Sequence, residues 1–97
     1  MISLTPYGVE FDEQELVNFI KASGRPYLVQ GQKATVLALH PKPSSLDVWL
    51  RYKFFKLQDT KLADNYVLDA LVATGLFEIS EEICPSSGKP CKSIKLL

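Results

Sequence analysis

The last third of the chain, Lys61 to Leu97, constrains the fold more than any other stretch. Its opening, KLADNYVLDALVATG, sets Leu62, Tyr66, Ala70 and Thr74, joined by Ala63, Val67 and Leu71, on one side of a helix that runs into Gly75. Glycine there supplies the left-handed residue that commonly closes a helix. Leu-Phe-Glu-Ile follows at once, then a Ser/Gly/Pro-rich turn, then Lys-Ser-Ile-Lys-Leu-Leu. This order predicts a helix over 61–74 and antiparallel pairing of 76–83 with 91–97.

Upstream, Asp12 and Glu15 stand at capping-box spacing, and Phe11 and Leu16 at the spacing of a hydrophobic staple. Leu16, Phe19 and Ile20 continue the helical pattern to Gly24, predicting a first helix over 13–23. Pro-Tyr-Leu-Val-Gln and Lys-Ala-Thr-Val-Leu-Ala-Leu then flank Gly31-Gln32, the pattern of a hairpin. Residues 44–58 admit two readings. Leu46, Leu50, Phe54 and Leu57 form a helical stripe, whereas Val48, Leu50, Tyr52 and Phe54 alternate with Arg51 and Lys53 as a strand does. The Pro-Ser-Ser-Leu-Asp opening, with Ser44 and Asp47 at capping spacing, favours the helix. The expected order is helix, hairpin, helix, helix, hairpin: one α+β domain over residues 1–97.

The segment ALVATGLFEI resembles the winged-helix superfamily, in which the second helix of a helix-turn-helix ends at a glycine and leads into the hairpin called the wing. The resemblance covers residues 44–97 and is one of element type and order. It implies a winged-helix-like fold and a nucleic-acid or protein docking role rather than catalysis. In that family the helix matching 61–74 often enters the DNA major groove, and the hairpin matching 77–97 often touches the flanking backbone.

Charge qualifies that implication. The chain carries eleven Lys plus Arg and eleven Asp plus Glu, a formal charge of zero. A protein that grips phosphate backbones usually has a positive excess. The charges are blocked, however: residues 21–61 hold eight cations and two acids, whereas 62–82 hold five acids and neither Lys nor Arg. Blocks of this kind can fold into opposed patches. The expected nucleic-acid surface is therefore Arg51, Lys53, Lys56 and Lys61 with Lys89 and Lys92 of the wing on phosphates, and Asn65 facing the bases. Asp64 and Asp69 beside Asn65 oppose this reading, since carboxylates repel phosphates.

Trp49, Tyr52, Phe54 and Phe55 crowd among Arg51, Lys53 and Lys56. Such aromatics stack on single-stranded bases in some proteins, and more often form a helical core with solvated cations between them. With the Leu/Phe stripe inside, Trp49 and Tyr52 fall at its edge, where an aromatic beside Arg marks a protein-interface hot spot. The two function classes are thus a nucleic-acid-binding domain, with duplex DNA as partner, and a protein-interaction module, as a homodimer or as a subunit of a larger assembly.

Other motifs are weak. Cys84 and Cys91 flank Pro-Ser-Ser-Gly-Lys-Pro and fall near each other across the last hairpin. Reduced thiols are expected, with a disulfide or a zinc site shared across a dimer as alternatives; with His40 the chain offers three of the four ligands zinc takes. Ser-Ser-Gly-Lys departs from a phosphate-binding loop: Ile83 stands where its first glycine belongs, and Pro90 where Ser or Thr follows the lysine. His40 precedes Pro41 in a turn-like setting without a nucleophile motif. No cofactor, metal or small-molecule substrate is expected. The start, MISLTPYGVE, lacks a signal-peptide pattern, and no run reaches the roughly 20 apolar residues of a membrane span. The expected setting is the cytoplasm.

Overall fold

The computed structural model describes residues 1–31, 45–54, 63–84 and 88–97. In chain order the elements are strand β1 (Ile2–Leu4), a 3-10 turn (Thr5–Tyr7), strand β2 (Val9–Phe11), helix α1 (Glu13–Ala22), strand β3 (Tyr27–Val29), helix α2 (Leu46–Lys53), helix α3 (Asn65–Val72) and strands β4 (Phe77–Ile83) and β5 (Pro90–Leu96). The protein is thus mixed α+β, with three helices and two antiparallel sheets among the described residues.

Sequence reasoning missed the first sheet. β1 and β2 pair in the register Ile2–Phe11, Ser3–Glu10 and Leu4–Val9. Gly8, at φ +67°, closes the turn between them by donating its N–H to the Thr5 carbonyl. Ile2, Leu4 and Phe11 are buried on the inner side. Each strand has only three residues, too short for a two-residue periodicity to stand out.

Helix α1 begins where expected. Asp12 caps it, its Oδ1 accepting from the Gln14 N–H at 2.9 Å, and Phe11 and Leu16 are both buried in the core. Glu15 does not complete the capping box with its side chain, because its carboxylate pairs instead with Lys53 of α2. Gly24, at φ +81°, follows the helix end.

Of the expected hairpin over the two runs flanking Gly31, the first run forms β3. β3 pairs with β5, some 65 residues further on, in the register Tyr27–Lys95, Leu28–Ile94 and Val29–Ser93. The second run of that hairpin lies outside the described residues. The resulting sheet has the order β3–β5–β4 with β5 in the middle, and β4 and β5 pair from Phe77–Leu96 to Ile83–Pro90. The last hairpin therefore forms as its sequence predicts.

Residues 46–53 are helix, not strand. The cap is Ser45, whose Oγ accepts from the Val48 N–H at 3.2 Å, one residue later than expected. Asp47 is thereby freed from capping and sits buried inside. Helix α3 is shorter than the span 61–74: Asp64 caps it, accepting from the Val67 N–H at 3.1 Å, and Gly75 at φ +80° follows its end. Its inner residues are Val67, Leu68 and Leu71. The expected inner residue Tyr66 is instead 45% exposed, and Ala70 is only partly buried. Leu68 is inside instead, while Val67 and Leu71 stay buried as expected, so the buried stripe shifts toward Leu68 by less than one residue's step on a helix.

One contiguous cluster joins these elements. Leu4, Phe11, Leu16, Ile20, Leu28, Leu46, Leu50, Leu71, Phe77 and Ile94 all belong to it, so both sheets and all three helices share one core. Phe54, expected within it, is half-buried against it, its ring centroid 6.2 Å from that of Phe11.

Candidate docking surface

The residues expected to grip phosphate have mostly other commitments. Arg51 is 5% exposed, with its guanidinium 3.0 Å from the Asp47 carboxylate one helical turn earlier. The other Asp47 oxygen accepts the Ala63 N–H at 3.2 Å, which ties α2 to the residues entering α3. Arg51 is thus an internal cross-link, contrary to its expected place on a phosphate-facing surface. The expected helical stripe leaves Arg51 among solvated cations; the observed phase of α2 turns it inward, where only a buried carboxylate makes a guanidinium tolerable. Lys53 is bound to Glu15 and lies 5.7 Å from the centre of the Trp49 ring. Lys56 and Lys61 lie outside the described residues.

Asn65 and Lys92 do come together. Lys92 Nζ donates to Asn65 Oδ1 at 3.0 Å, joining the first turn of α3 to β5. Lys89 is exposed at the start of the returning strand, and its carbonyl accepts the Cys84 N–H at 2.9 Å. The cross-strand partner of Lys92 is Glu81, so a carboxylate stands beside this group as well.

Trp49 and Tyr52 are both half-buried. Trp49 meets Phe11 edge-on at 5.4 Å between ring centres and Phe19 at 6.2 Å, so it seals α2 against α1 and β2. Its edge position in the sequence pattern is filled from within the chain itself.

A different surface carries exposed apolar area. Asn65, Tyr66, Asp69 and Val72 stand outward on α3, related by three- and four-residue steps. Leu76 is exposed just after Gly75, and β4 adds Ile79 at 41% and Ile83 at 51% exposure. These two share the face of β4 that carries Phe77 into the core, and α3 packs along the same strand. Asp69 and Glu81 are exposed beside them, and Glu78 is exposed on the opposite face of β4. The surface is therefore apolar with an acidic border. The acids are legible in the sequence as five carboxylates without a cation from 62 to 82; the apolar part is not, because the helical spacing predicts Tyr66 inside.

Among the described residues, four groups titrate away from their ordinary values. The contact between the Met1 amino group and the Glu13 carboxylate raises the pKa of the first and lowers that of the second, and Tyr7 and Cys91 are also shifted. Tyr7 donates its hydroxyl to Asp64, and that hydrogen bond, with burial and the nearby carboxylates, pushes its pKa up to about 12. Burial, then the neighbouring Cys84 thiol, raises the Cys91 pKa. Neither cysteine is in a disulfide bond. Among the described residues no group of three or more His, Cys, Asp or Glu side chains is arranged to hold a metal ion, and no helix is long and apolar enough to cross a membrane.

The chain matches no family model, no curated protein and no solved structure.

Proposed function

We propose that the chain is a winged-helix-like binding domain that docks on another protein through α3 and β4. The winged-helix reading is supported by α2 and α3 followed, after Gly75, directly by the antiparallel hairpin β4–β5. The observation that carries the docking reading is the outward side of α3 and β4. It presents Tyr66, Val72, Leu76, Ile79 and Ile83 to solvent beside Asp69 and Glu81. Exposed apolar area with a charged rim is the composition of protein interfaces, whereas carboxylates facing a phosphate backbone are repelled. Arg51 and Lys53 are meanwhile held by Asp47 and Glu15. The polar contacts Asp47–Arg51 and Tyr7–Asp64 serve to tie elements together, which fits a binding domain rather than a catalyst. We place its work in the cytoplasm, with Cys84 and Cys91 as thiols.

A second reading, duplex DNA, is favoured by one observation: Asn65, Lys92 and Lys89 lie on neighbouring elements, the first turn of α3 and the wing. One pair of experiments separates the two. Photoreactive side chains at positions 66, 72 and 79 should cross-link a protein partner that then binds in purified form, while one at position 18, on the exposed side of α1, should not. Asp69→Lys should weaken that purified complex. The docking reading is overturned if these positions capture nothing while the protein binds duplex DNA in a salt-dependent manner that Lys89→Ala and Lys92→Ala abolish.

A further inference from the structure

We propose that the partner is an extended segment with alternating apolar and basic residues, which adds as a further strand to the edge of β4 that no described strand covers. This proposal rests on the protein-docking reading above.

Among the described residues β4 has a strand on one side only, β5. Hydrogen bonds from Leu97 N–H to the Leu76 carbonyl (3.1 Å) and from Cys84 N–H to the Lys89 carbonyl (2.9 Å) fix the phase of the β4–β5 ladder. Bonding in an antiparallel pair alternates, so residues 78, 80 and 82 turn their backbone groups to β5. Phe77, Ile79, Glu81 and Ile83 turn theirs to the other edge. The Ile83 carbonyl is taken by the Tyr27 hydroxyl at 2.8 Å. Ile79 and Glu81 thus lie at the centre of a stretch with donors and acceptors directed outward, and Ile79 exposes its side chain there as well. Such an edge is a template for strand addition.

β5 already displays the kind of strand that β4 accepts. It sets Lys92 opposite Glu81, Ile94 opposite Ile79 and Lys95 opposite Glu78. A segment of similar pattern on the other side would place a second cation beside each glutamate and a second apolar side chain beside Ile79, with the cross-strand contacts that stabilise sheets. A second copy of this chain is the poorer occupant. Two β4 edges laid together bring Glu78, Glu81 and Glu82 of one strand against those of the other, and like charges across strands destabilise pairing.

The test uses the full chain, isotopically labelled for amide NMR. The probe is the synthetic peptide Pro-Ser-Lys-Ser-Ile-Lys-Leu-Leu, which keeps the β5 pattern with serine in the cysteine position. Two further peptides carry backbone N-methyl groups on one or the other set of alternate residues. The expected result is saturable shifts at the Ile79 and Glu81 amides, with hydrogen exchange there slowed about tenfold or more on binding. One methylated peptide should bind about tenfold more weakly than the parent, because only one set of amides faces β4; the other should bind like the parent. Glu81→Lys should also weaken binding about tenfold. Equal binding by all three peptides overturns strand addition, as does the absence of any shift. Shifts confined to Tyr66, Asp69 and Val72 overturn it too, but leave the docking surface standing. Failure of the docking reading itself is read separately, from the cross-linking at positions 66, 72 and 79.

Discussion

The Tyr7 hydroxyl donates to the Asp64 carboxylate, the same group whose other oxygen caps α3. One aspartate thereby joins the N-terminal strand pair to the first turn of the third helix, across 57 residues of sequence. Tyr7→Phe deletes the hydroxyl and leaves the ring. We expect a loss of about 1.5–3 kcal/mol in urea denaturation, the usual range for a hydrogen bond to a charged group. The pH dependence has a definite sign. The folded-state pKa is raised from 10.0 to about 12, so this stabilisation is complete below pH 10 and is lost as pH rises through about 12. Phenolate absorbance should show one tyrosine ionising near 12 in the folded protein, and Tyr7→Phe should remove that step.

The Asp47–Arg51 pair should respond very differently to single and double replacement. Asp47→Ala leaves a guanidinium buried without its carboxylate and removes the acceptor for the Ala63 N–H. The expected cost is about 3–5 kcal/mol. Asp47→Leu combined with Arg51→Met removes both charges and should destabilise less than Asp47→Ala alone. Chemical denaturation of the two variants checks this. Equal losses would mean that the Ala63 contact, not the ion pair, dominates.

Phe77 and Phe54 distinguish the two ends of the core. Phe77 is fully buried at the start of β4, so Phe77→Ala should cost about 3–5 kcal/mol. Phe54 is only half-buried beside Phe11 after the end of α2, so Phe54→Ala should cost about 1–2 kcal/mol. The ranking is the test: a larger loss at Phe54 would contradict the observed phase of α2.

Cys84 and Cys91 should behave as one unit. Glu82 stands opposite Cys91 in the β4–β5 register, which places Cys84 diagonally across from it on the same face. Exchange with a low-molecular-weight disulfide should yield an intramolecular bond and release two small thiols, without covalent dimer. Because burial raises the Cys91 pKa, its alkylation should be slow at neutral pH and accelerate as pH rises through the ordinary thiol range. Mass spectrometry of timed alkylation reads both outcomes.

Local chemistry in the sequence determined where elements begin and end. Asp12 and Gly24 bound α1, and Gly75 follows the end of α3. The Pro/Ser/Gly turn between two β-prone runs determined the β4–β5 hairpin. These signals are readable because each acts within four or five residues: a cap satisfies backbone groups next to it, and a hairpin pairs neighbours. Even there the cap of α2 is Ser45 rather than Ser44, although only Ser44 has an acid, Asp47, three residues on.

What only the tertiary structure decided is which side of each element turns inward and which distant strand it joins. β3 pairs with β5, some 65 residues further along the chain, and Leu28 and Ile94 of that pair lie in the shared core. Tyr66 and Leu68 both fit a helical stripe, and the packing of α3 against the sheet put Leu68 inside and left Tyr66 on the proposed docking surface. Arg51 looked solvated in sequence until α2 turned it onto Asp47. Periodicity reports that a helix has an apolar side, but burial is a property of the neighbours that cover it, and those neighbours come from distant parts of the chain.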